Sequence, residues 1–598
     1  MLLTGRNLAK SYGPRLLFSH ITLGLVEGER VGLIGANGSG KSTLLRIFAQ
    51  LEKPDEGEII TRRQLRVGYV PQMDSFAEGG TALSIVADAI DHHVDEHERE
   101  LQAMILLDRA GFKNVHAEAE KLSGGWKKRL AIVRALAREP DLLLMDEPTN
   151  HLDIEGIVWL EDLIEGGAFA TLTVSHDRRF LEEIANRIIE LGRAYPEGYL
   201  SHNGTYSEFL EKREEFLAAQ QGRAQALASG VRREIAWLRR GAKARTTKAK
   251  GRIERAGEMM SELADLRQRN TQQGSAKIDF AASERKTKKL VDLKNVSKAL
   301  GERKLFENLS VTLSPGTKLG LVGPNGSGKS TLIKVLTGMI EADAGGVVRA
   351  ENLQVVLFDQ HREQLDPGQA LRRALSPMGD TLIVGGSPMH VTGWARRFLF
   401  RPDQLDLPVG ELSGGEQARV LIARLMLRQA DVLILDEPTN DLDIPTLDVL
   451  EESLEDFPGA VVLVTHDRYL IDRVATEVLA LDGEGHAEIY AELAQWERAQ
   501  EARAAAQVTP KRVPATTAAP APAAKKRLSW KEQKELEQME QSILAAETKV
   551  QELETRVNEP AVAADHVKAR EAYQALSDAQ AEVERLYARW SELEAKQG

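Results

Sequence analysis

Residues 35–42 read Gly-Ala-Asn-Gly-Ser-Gly-Lys-Ser, and residues 323–330 read Gly-Pro-Asn-Gly-Ser-Gly-Lys-Ser. Other motifs return in the same order, 288 to 290 residues further on: Gln72 as Gln360, Leu-Ser-Gly-Gly at 122–125 and 412–415, Asp-Glu at 146–147 and 436–437, and His176 as His466. A duplicated domain is the simplest explanation of a whole motif set repeated at a nearly constant offset. We therefore predict two equivalent α/β domains in tandem.

Each glycine-rich loop has the spacing G-x-x-x-x-G-K-S, which is typical of phosphate binding. Its glycines let consecutive backbone N–H groups curve around phosphates, and the following helix presents its positive N-terminal end to them. The lysine of each loop then reaches the β- and γ-phosphates. The loop residues that we expect to bind ATP are Gly35, Asn37, Gly38, Gly40, Lys41, Ser42 and Thr43, and Gly323, Asn325, Gly326, Gly328, Lys329, Ser330 and Thr331.

Oxygen-bearing side chains beside these loops predict a Mg²⁺ site in each domain, because a small hard cation takes oxygen ligands. Two apolar strands, 142–145 and 432–435, are each followed by an aspartate. Sites in parallel α/β sheets form at that edge. The expected metal ligands are Ser42, Gln72 and Asp146 in the first domain and Ser330, Gln360 and Asp436 in the second.

The remaining motif residues predict hydrolysis of the bound nucleotide. The glutamate after each aspartate is placed to orient and deprotonate an attacking water. The histidine after a later apolar strand is placed to contact the γ-phosphate. The expected catalytic residues are Glu147, Glu437, His176, His466, Gln72 and Gln360. Together these motifs predict an ATPase.

The bulk composition restricts the class of protein. The chain has 598 residues, no cysteine and a formal net charge of −12. No apolar run approaches the roughly 18 residues of a membrane-spanning helix, and the N-terminus lacks the pattern of a signal peptide. Disulfides have no role in such a chain. We expect a cytoplasmic protein without a membrane domain.

Composition also divides the chain. A proline-free stretch between the two domains is helical in character, and Ile253, Ala256, Met260 and Leu263 form an apolar seam that a second helix of a hairpin would cover. A later stretch rich in Ala, Pro, Thr and Lys cannot bury a core. The predicted parts are a first ATPase domain at 1–205, a basic helical linker at 206–288, a second ATPase domain at 289–497, a disordered tether at 498–527 and a C-terminal coiled coil at 528–598.

The C-terminal part has two apolar runs, from Met539 to Val557 and from Leu576 to Leu593, whose members alternate in steps of three and four. Asn558-Glu-Pro560 separates the two runs. Two seams joined by a turn predict an antiparallel coiled-coil hairpin. The alternative is a parallel dimer through one helix.

The two motif sets resemble the ATP-binding cassette superfamily, with the phosphate loop, the Leu-Ser-Gly-Gly signature and the Asp-Glu pair matching position by position. That resemblance implies a head-to-tail sandwich of the two cassettes within a monomer, and two composite ATP sites. One site would combine Lys41, Asp146 and Glu147 with Ser413, Gly414 and Gly415, and the other would combine Lys329, Asp436 and Glu437 with Ser123, Gly124 and Gly125.

Within the superfamily the chain resembles the ABC-F class, which has paired cassettes, a helical linker and no membrane domain. The linker string 234–252, Trp126 after the first signature and the tail from Leu528 resemble its Uup-like branch. The aromatic residue that stacks on adenine in such cassettes is matched by Tyr12 in the first copy, whereas the second copy has Leu300. We therefore expect weaker adenine binding at the Lys329 site.

The linker indicates the partner. Residues 232–255 hold ten basic and two acidic side chains, in a chain of net charge −12. A segregated positive segment favours a polyanion, although a solvated helical face would have the same composition. The resemblance to ABC-F proteins implies that the linker contacts tRNA and ribosomal RNA. The expected nucleic-acid contacts are Arg239, Arg240, Lys243, Arg245, Lys248, Lys250 and Arg252.

Two other functions remain open from the sequence. The Uup-like branch implies DNA binding through residues 528–598, including branched DNA, and basic residues 525–527 lie beside that part. An ATPase subunit of a transporter is the third interpretation. The fused cassettes and the basic linker argue against it.

Overall fold

The computed structural model describes residues 1–13, 15–91, 93–239, 257–264, 289–301, 303–358, 365–377, 379–384, 387–439 and 442–508, together with positions 549, 575, 579 and 585. The chain divides into two units, Met1–Gln507 and Val508–Gly598. The first unit holds both cassettes. The predicted coiled coil falls in the second unit and lies outside the described residues, apart from those four positions.

The first cassette alternates strands and helices. Its strands are β1 (Leu3–Tyr12), β2 (Arg15–Leu25), β3 (Arg30–Gly35), β4 (Glu56–Thr61), β5 (Val67–Val70), β6 (Leu142–Asp146), β7 (Ala170–Val174), β8 (Arg187–Leu191) and β9 (Tyr199–Asn203). Its helices are α1 (Lys41–Phe48), α2 (Ala82–Ala87), α3 (Glu96–Arg109), α4 (Gly124–Leu136), α5 (Ile154–Glu165) and α6 (Arg178–Ile184), and α7 (Tyr206–Arg239) begins the linker.

The second cassette repeats this order. Its strands are β10 (Val291–Leu300), β11 (Arg303–Leu313), β12 (Lys318–Val322), β13 (Ala344–Arg349), β14 (Val355–Phe358), β15 (Thr381–Val384), β16 (Ser387–His390), β17 (Val432–Asp436), β18 (Ala460–Val464), β19 (Glu477–Leu481) and β20 (Ala487–Tyr490). Its helices are α8 (Lys329–Thr337), α9 (Leu371–Leu375), α10 (Val391–Arg397), α11 (Gly414–Leu425), α12 (Ile444–Glu455), α13 (Arg468–Val474) and α14 (Leu493–Val508).

Each cassette is built on a six-stranded sheet. The strand order is β5-β6-β7-β3-β8-β9 in the first and β14-β17-β18-β12-β19-β20 in the second. The first five strands of each sheet run parallel and the sixth is antiparallel. A three-stranded antiparallel sheet, β2-β1-β4 or β11-β10-β13, accompanies each of them. The predicted tandem α/β architecture is confirmed.

The parallel sheet positions the site residues. Strands β6 and β7 are buried along their whole length, as expected where both faces of a parallel sheet are covered. Asp146 at the end of β6 pairs with Val174 at the end of β7, and Leu33 near the end of β3 pairs with the same valine. The carboxyl ends of these three strands therefore meet at one edge of the sheet, where the phosphate loop follows β3.

Two parts of the linker are described, α7 and residues 257–264. Residues 257–264 are helical and contact α7, because Arg223 bonds to Glu262 and a Cβ on Gly230 would lie 2.6 Å from the Met259 methyl carbon. The predicted seam is wrong at Met260, which is 50% exposed, whereas Leu263 is buried. Met259 and Leu263, four residues apart, form the covered stripe instead, since residues at this spacing share a helix face. Ile253, Ala256 and the predicted contacts from Arg240 to Arg252 lie outside the described residues.

Among the described residues, no helix is both long and apolar enough to cross a membrane. The bounds of the five parts given above remain predictions.

Candidate active sites

Each phosphate loop wraps around its own lysine. Lys41 Nζ donates hydrogen bonds to the carbonyls of Gly35, at 2.8 Å, and Ala36, at 3.3 Å. Burial lowers the pKa of Lys41, although nearby carboxylates oppose that shift. Gly40 has a φ of +96°, and a Cβ there would lie 2.7 Å from the Phe18 ring, so only glycine fits before α1. The loop therefore brings a buried ammonium group and the helix N-terminus to one place.

The loop of the second cassette has the same geometry. Lys329 Nζ donates to the carbonyls of Gly323, at 2.6 Å, and Pro324, at 3.1 Å. Burial lowers the pKa of Lys329 as well. Both loops can thus present a cation and backbone N–H groups to phosphate oxygens.

Two oxygen ligands lie at the start of α1 and the end of β6. Ser42 Oγ donates to Asp146 Oδ1 across 3.1 Å. Adjacent oxygens of an octahedral Mg²⁺ ion, with bonds of about 2.1 Å, lie about 3 Å apart, so this pair fits a magnesium site. Burial raises the pKa of Asp146, and the Ser42 hydrogen bond and Lys41 act against that shift. Ser330 and Asp436 hold the equivalent positions at the start of α8 and the end of β17.

Of the two glutamines that we expect to bind the metal ion, the structure describes Gln72 and not Gln360. Gln72 comes two residues after β5, its side chain is exposed, and its backbone carbonyl accepts a hydrogen bond from Lys128 Nζ at 2.9 Å. Gln360 lies outside the described residues. The proposed metal contacts of both glutamines stay predictions.

The two glutamates adopt a backbone conformation that side chains rarely take. Glu147 has a φ of 48° and Glu437 a φ of 47°. Their backbone N–H groups donate to Val174 O at 2.9 Å and Val464 O at 2.8 Å, at the end of the neighbouring strand. Left-handed backbone at a non-glycine residue costs roughly 1 kcal/mol or more and persists where the surroundings enforce it. The fold therefore fixes both carboxylates at the sheet edge.

Each glutamate lies beside the predicted histidine of its own cassette. His176 Nε2 is 3.2 Å from Glu147 Oε1, and His466 Nε2 is 3.4 Å from Glu437 Oε1. Burial lowers the pKa of both histidines to about 3, so their imidazoles are neutral at pH 7. Burial raises the pKa of Glu437 to about 8, against the opposing charge of Lys329. A neutral imidazole can donate from Nε2 and orient the carboxylate without competing for its charge.

An aspartate from each cassette reaches the phosphate loop of the other cassette. Asp443 Oδ2 accepts from the backbone N–H of Asn37 at 2.8 Å, and Asp153 Oδ2 accepts from that of Asn325 at 3.2 Å. The other oxygen of each carboxylate caps the helix that the aspartate precedes, α12 or α5. Residues 150–153 and 440–443, directly after Glu-Pro-Thr, resemble the ABC-F loop that crosses between cassettes, but neither aspartate is among the expected ATP-binding or metal-binding residues. The available signal was a repeated Leu-Asp directly before an apolar helix, a typical N-cap.

The first signature lies beside the second phosphate loop. A cavity of 320 Å³ between the cassettes is lined by Ser123, Gly124, Gly125, Asn325, Glu437 and His466, among others. A Cβ on Gly125 would lie 2.7 Å from the His151 carbonyl oxygen and 3.3 Å from Asn325 Nδ2, so the last signature glycine permits this approach. The structure thus brings together residues of the composite site predicted around Lys329. Their roles in binding remain predictions.

The two signatures differ in the residue that follows them. Glu416 Oε2 accepts from Ser413 Oγ at 2.7 Å and from Ser413 N at 2.9 Å, which makes a capping box at the start of α11. Trp126 takes this position in the first cassette and packs against Phe112, with ring centroids 4.9 Å apart. Ser123 makes no side-chain capping bond within the described part of the chain. The hydroxyl of Ser413 is therefore already engaged in its own cassette.

Tyr12 and Leu300 hold equivalent positions at the ends of β1 and β10, since they pair with Arg15 and Arg303 in the same register. Tyr12 is 48% exposed and Leu300 is 69% exposed. The Tyr12 hydroxyl donates to Glu52 Oε1 at 2.6 Å, which fixes the ring at the surface. Only the first cassette offers an aromatic face at this place.

Two phosphate loops, each accompanied by an aspartate at a strand end, a constrained glutamate and a neutral histidine, define a tandem ATP-binding cassette ATPase. The model of the ABC transporter family matches residues 18–150 and 306–440, and that of the ABC transporter C-terminal domain matches residues 527–595. The ATP-binding protein Uup of Haemophilus influenzae is 35% identical over 98% of this chain and 97% of its own. The chain belongs to the Uup-like branch of the ABC-F class of ATP-binding cassette ATPases.

Two further proteins are similar over most of the chain. The energy-dependent translational throttle protein EttA of Escherichia coli K12 is 33% identical over 80% of this chain and 91% of its own. The archaeal ribosome recycling factor aABCE1, solved in complex with the ribosomal stalk protein aP1, superposes with a TM-score of 0.58 over 83% of this chain and 92% of its own. At 21% identity the latter shows the fold alone.

Proposed function

We propose that the chain uses ATP binding and hydrolysis between its cassettes to control engagement of a ribosome, with the basic linker contacting ribosomal RNA or tRNA. The observation that carries this proposal is the position of the linker root. Tyr206 and Phe209, in the first turn of α7, are buried in one cluster with Leu181 of α6 and Ile444 of the second cassette. Movement of one cassette against the other therefore acts directly on the helix that leads into the basic segment.

The residues of each site have separate tasks in the proposed reaction. The phosphate-loop lysine and backbone N–H groups bind the β- and γ-phosphates, and Asp443 or Asp153 holds the loop from the opposite cassette. Ser42, Asp146 and Gln72 would hold Mg²⁺, which would neutralise charge on the phosphate oxygens. The same holds for the equivalent residues of the second cassette.

Glu147, or Glu437 in its ionised form, accepts a proton as water attacks the γ-phosphorus, which yields ADP and phosphate. The neutral histidine orients that carboxylate through Nε2 and can turn the same N–H toward the γ-phosphate. The signature residues Ser123–Gly125 and Ser413–Gly415 complete the sites from the opposite cassette, with a helix N-terminus facing the phosphates. Closure of the two cassettes thus depends on bound ATP.

The likeness to EttA supports a ribosome as the partner, because that protein is named for its action on translation. The +8 segment at residues 232–255 supports an RNA contact, since each neutralised phosphate releases counterions and strengthens binding. Binding of this kind weakens steeply with salt. The predicted contacts Arg239 to Arg252 are part of this proposal.

The test uses the full chain with Glu147→Gln and Glu437→Gln, which retain ATP and hold the cassettes closed. We expect this variant to sediment with ribosomes in ATP, and Lys41→Ala with Lys329→Ala to remain in the supernatant. Reversal of the basic charges at 239–252 should remove the ribosomal signal and leave ATP hydrolysis without ribosomes unchanged.

Branched DNA is the competing ligand in the same experiment. Binding of the trapped variant to branched DNA and not to ribosomes, lost on deletion of residues 528–598, would overturn the proposal in favour of a DNA-directed ATPase. Retention of the ribosomal signal after that deletion is the expected result.

A further inference from the structure

A buried lysine in the first cassette has no task in the reaction described above. Lys128 lies in the second turn of α4, and its ammonium group donates to the backbone carbonyls of Pro71 and Gln72, both at 2.9 Å. It also lies 3.0 Å from Asp74 Oδ2, and the two side chains are 1% and 7% exposed. An ammonium group has three donors, so these three oxygens satisfy it completely.

The three oxygens belong to the segment that follows β5 and carries Gln72. The helix that holds Lys128 begins with Gly124 and Gly125 of the first signature. In the composite sites proposed above, Gln72 serves the Lys41 site, whereas this signature serves the Lys329 site. One side chain therefore joins a part of each ATP site.

We propose that Lys128 is a positioning residue that couples the two ATP sites, by fixing the main chain at Gln72 to the first turns of the signature helix. Two of its bonds go to backbone carbonyls, so they hold the chain itself and not a mobile side chain. A displacement of α4 by about 1 Å would take 2.9 Å bonds beyond the normal hydrogen-bond range. The signature helix and the Gln72 segment consequently move together.

The sequence of the second cassette has neither the lysine nor the aspartate of this connection at the equivalent positions. The residue equivalent to Lys128 is Ala418, which follows the second signature at the same distance. The residue equivalent to Asp74 is Arg362 in the sequence, so the acidic partner is replaced too. Arg134, by contrast, donates to Ser75 O at 3.5 Å and has Arg424 as its equivalent. Lys128 thus distinguishes the two cassettes, whereas the arginine is common to both.

The test measures the coupling of ATP binding at equilibrium, without ribosomes. All proteins carry Glu147→Gln and Glu437→Gln, so that bound ATP is not hydrolysed. Lys41→Ala leaves the second site to bind alone, and Lys329→Ala leaves the first. The coupling factor is the overall affinity of the two-site protein divided by the product of the two single-site affinities. Because coupling of two binding equilibria is reciprocal, one factor describes both directions.

We expect Lys128→Met to lower the coupling factor at least threefold, since couplings between sites typically amount to about 5- to 150-fold. The control is Lys127→Met, which removes the neighbouring positive charge from the same helix and should leave the factor unchanged. A smaller change with Lys128→Met would overturn the proposal, and a lowered melting temperature alone would show a merely structural role.

If Lys128→Met does not fold by circular dichroism, the same measurement is made with Lys128→Gln, which keeps a donor for one carbonyl and removes the charge. Ser123→Ala separates this inference from the composite sites on which it rests. In the Lys41→Ala protein it should weaken ATP binding at the Lys329 site. If it does not, the pairing of signature and loop is wrong, whatever the coupling factor.

Discussion

Reversal of the charge on Arg178 should open the interface between the cassettes. Arg178 follows His176 by two residues, and its guanidinium forms two hydrogen bonds to Glu451 and one of 3.1 Å to Asp448, both in the other cassette. The side chain of Arg178 is 3% exposed and that of Glu451 is fully buried. The guanidinium also lies 3.9 Å from the centre of the Tyr469 ring.

The expected size of the effect follows from this burial. Removal of one partner of a buried ion pair costs about 3–5 kcal/mol, because the other charge is left without compensation. At about 1.4 kcal/mol for each factor of ten, Arg178→Glu should lower the equilibrium constant for ATP-driven closure by roughly 100- to 4,000-fold. Glu451→Arg in the same chain should restore only part of it, since Arg473 lies 3.3 Å from Glu451 and would repel the new arginine.

Closure can be followed by energy transfer between two dyes. The chain has no cysteine, so Leu51→Cys and Met339→Cys, equivalent and exposed positions of the two cassettes, label cleanly. The protein would carry the Glu-to-Gln changes that trap ATP. The prediction is wrong if Arg178→Glu closes at the same ATP concentration as the parent. It is also wrong if Glu451→Arg, added to Arg178→Glu, restores no closure.

Arg468 and Glu161 provide the matched control. They occupy the equivalent positions with the cassettes exchanged, and the Glu161 side chain is 12% exposed. Arg468 has no second carboxylate corresponding to Asp448, because the equivalent residue is Val158. Arg468→Glu should therefore oppose closure less strongly than Arg178→Glu.

Three further predictions concern the individual sites. Tyr12→Ala should weaken ATP binding at the Lys41 site by about 1–3 kcal/mol, because stacking on adenine is lost. Leu300→Tyr should strengthen ATP binding at the Lys329 site. Equal affinities of parent and variants in a fluorescent-nucleotide titration would contradict both expectations. The folded-state pKa of His176 and His466 is lowered to about 3, so their contribution to stability is present above about pH 6.5 and is lost as the pH falls toward 3. With both histidines replaced by Gln, the melting temperature should fall less steeply over that pH range. If the melting temperatures of parent and variant fall in parallel with pH, the prediction is wrong. Glu416→Ala should lower the free energy of unfolding by about 0.5–2 kcal/mol, because the capping box is lost. It should change ATP hydrolysis mainly at the Lys41 site, which the Ser413 signature completes. An equal change in hydrolysis at both sites would disprove this difference between the sites.

Much of the fold was predictable because its determinants are local. The glycines of each loop, the apolar run of β6 and the aspartate that ends it lie within short stretches whose backbone chemistry is readable from the sequence. Repetition of the whole set then predicted two equivalent domains, and the family to which the chain belongs was predicted from the same residues and confirmed by its relatives. The linker contacts and the roles of the site residues stay predictions.

The sequence by itself determined which groups are present and in what order: two phosphate loops, two signatures, and a basic segment between them. Only the tertiary structure decided which of these groups meet. Arg178 and Glu451, which form a buried ion pair, are 273 positions apart in the sequence. Asp443 accepts a hydrogen bond from Asn37, which lies 406 positions earlier. Partners of this kind have no common periodicity or spacing, because a buried charge is satisfied by whichever chain segment the packing of two cassettes brings within hydrogen-bond distance.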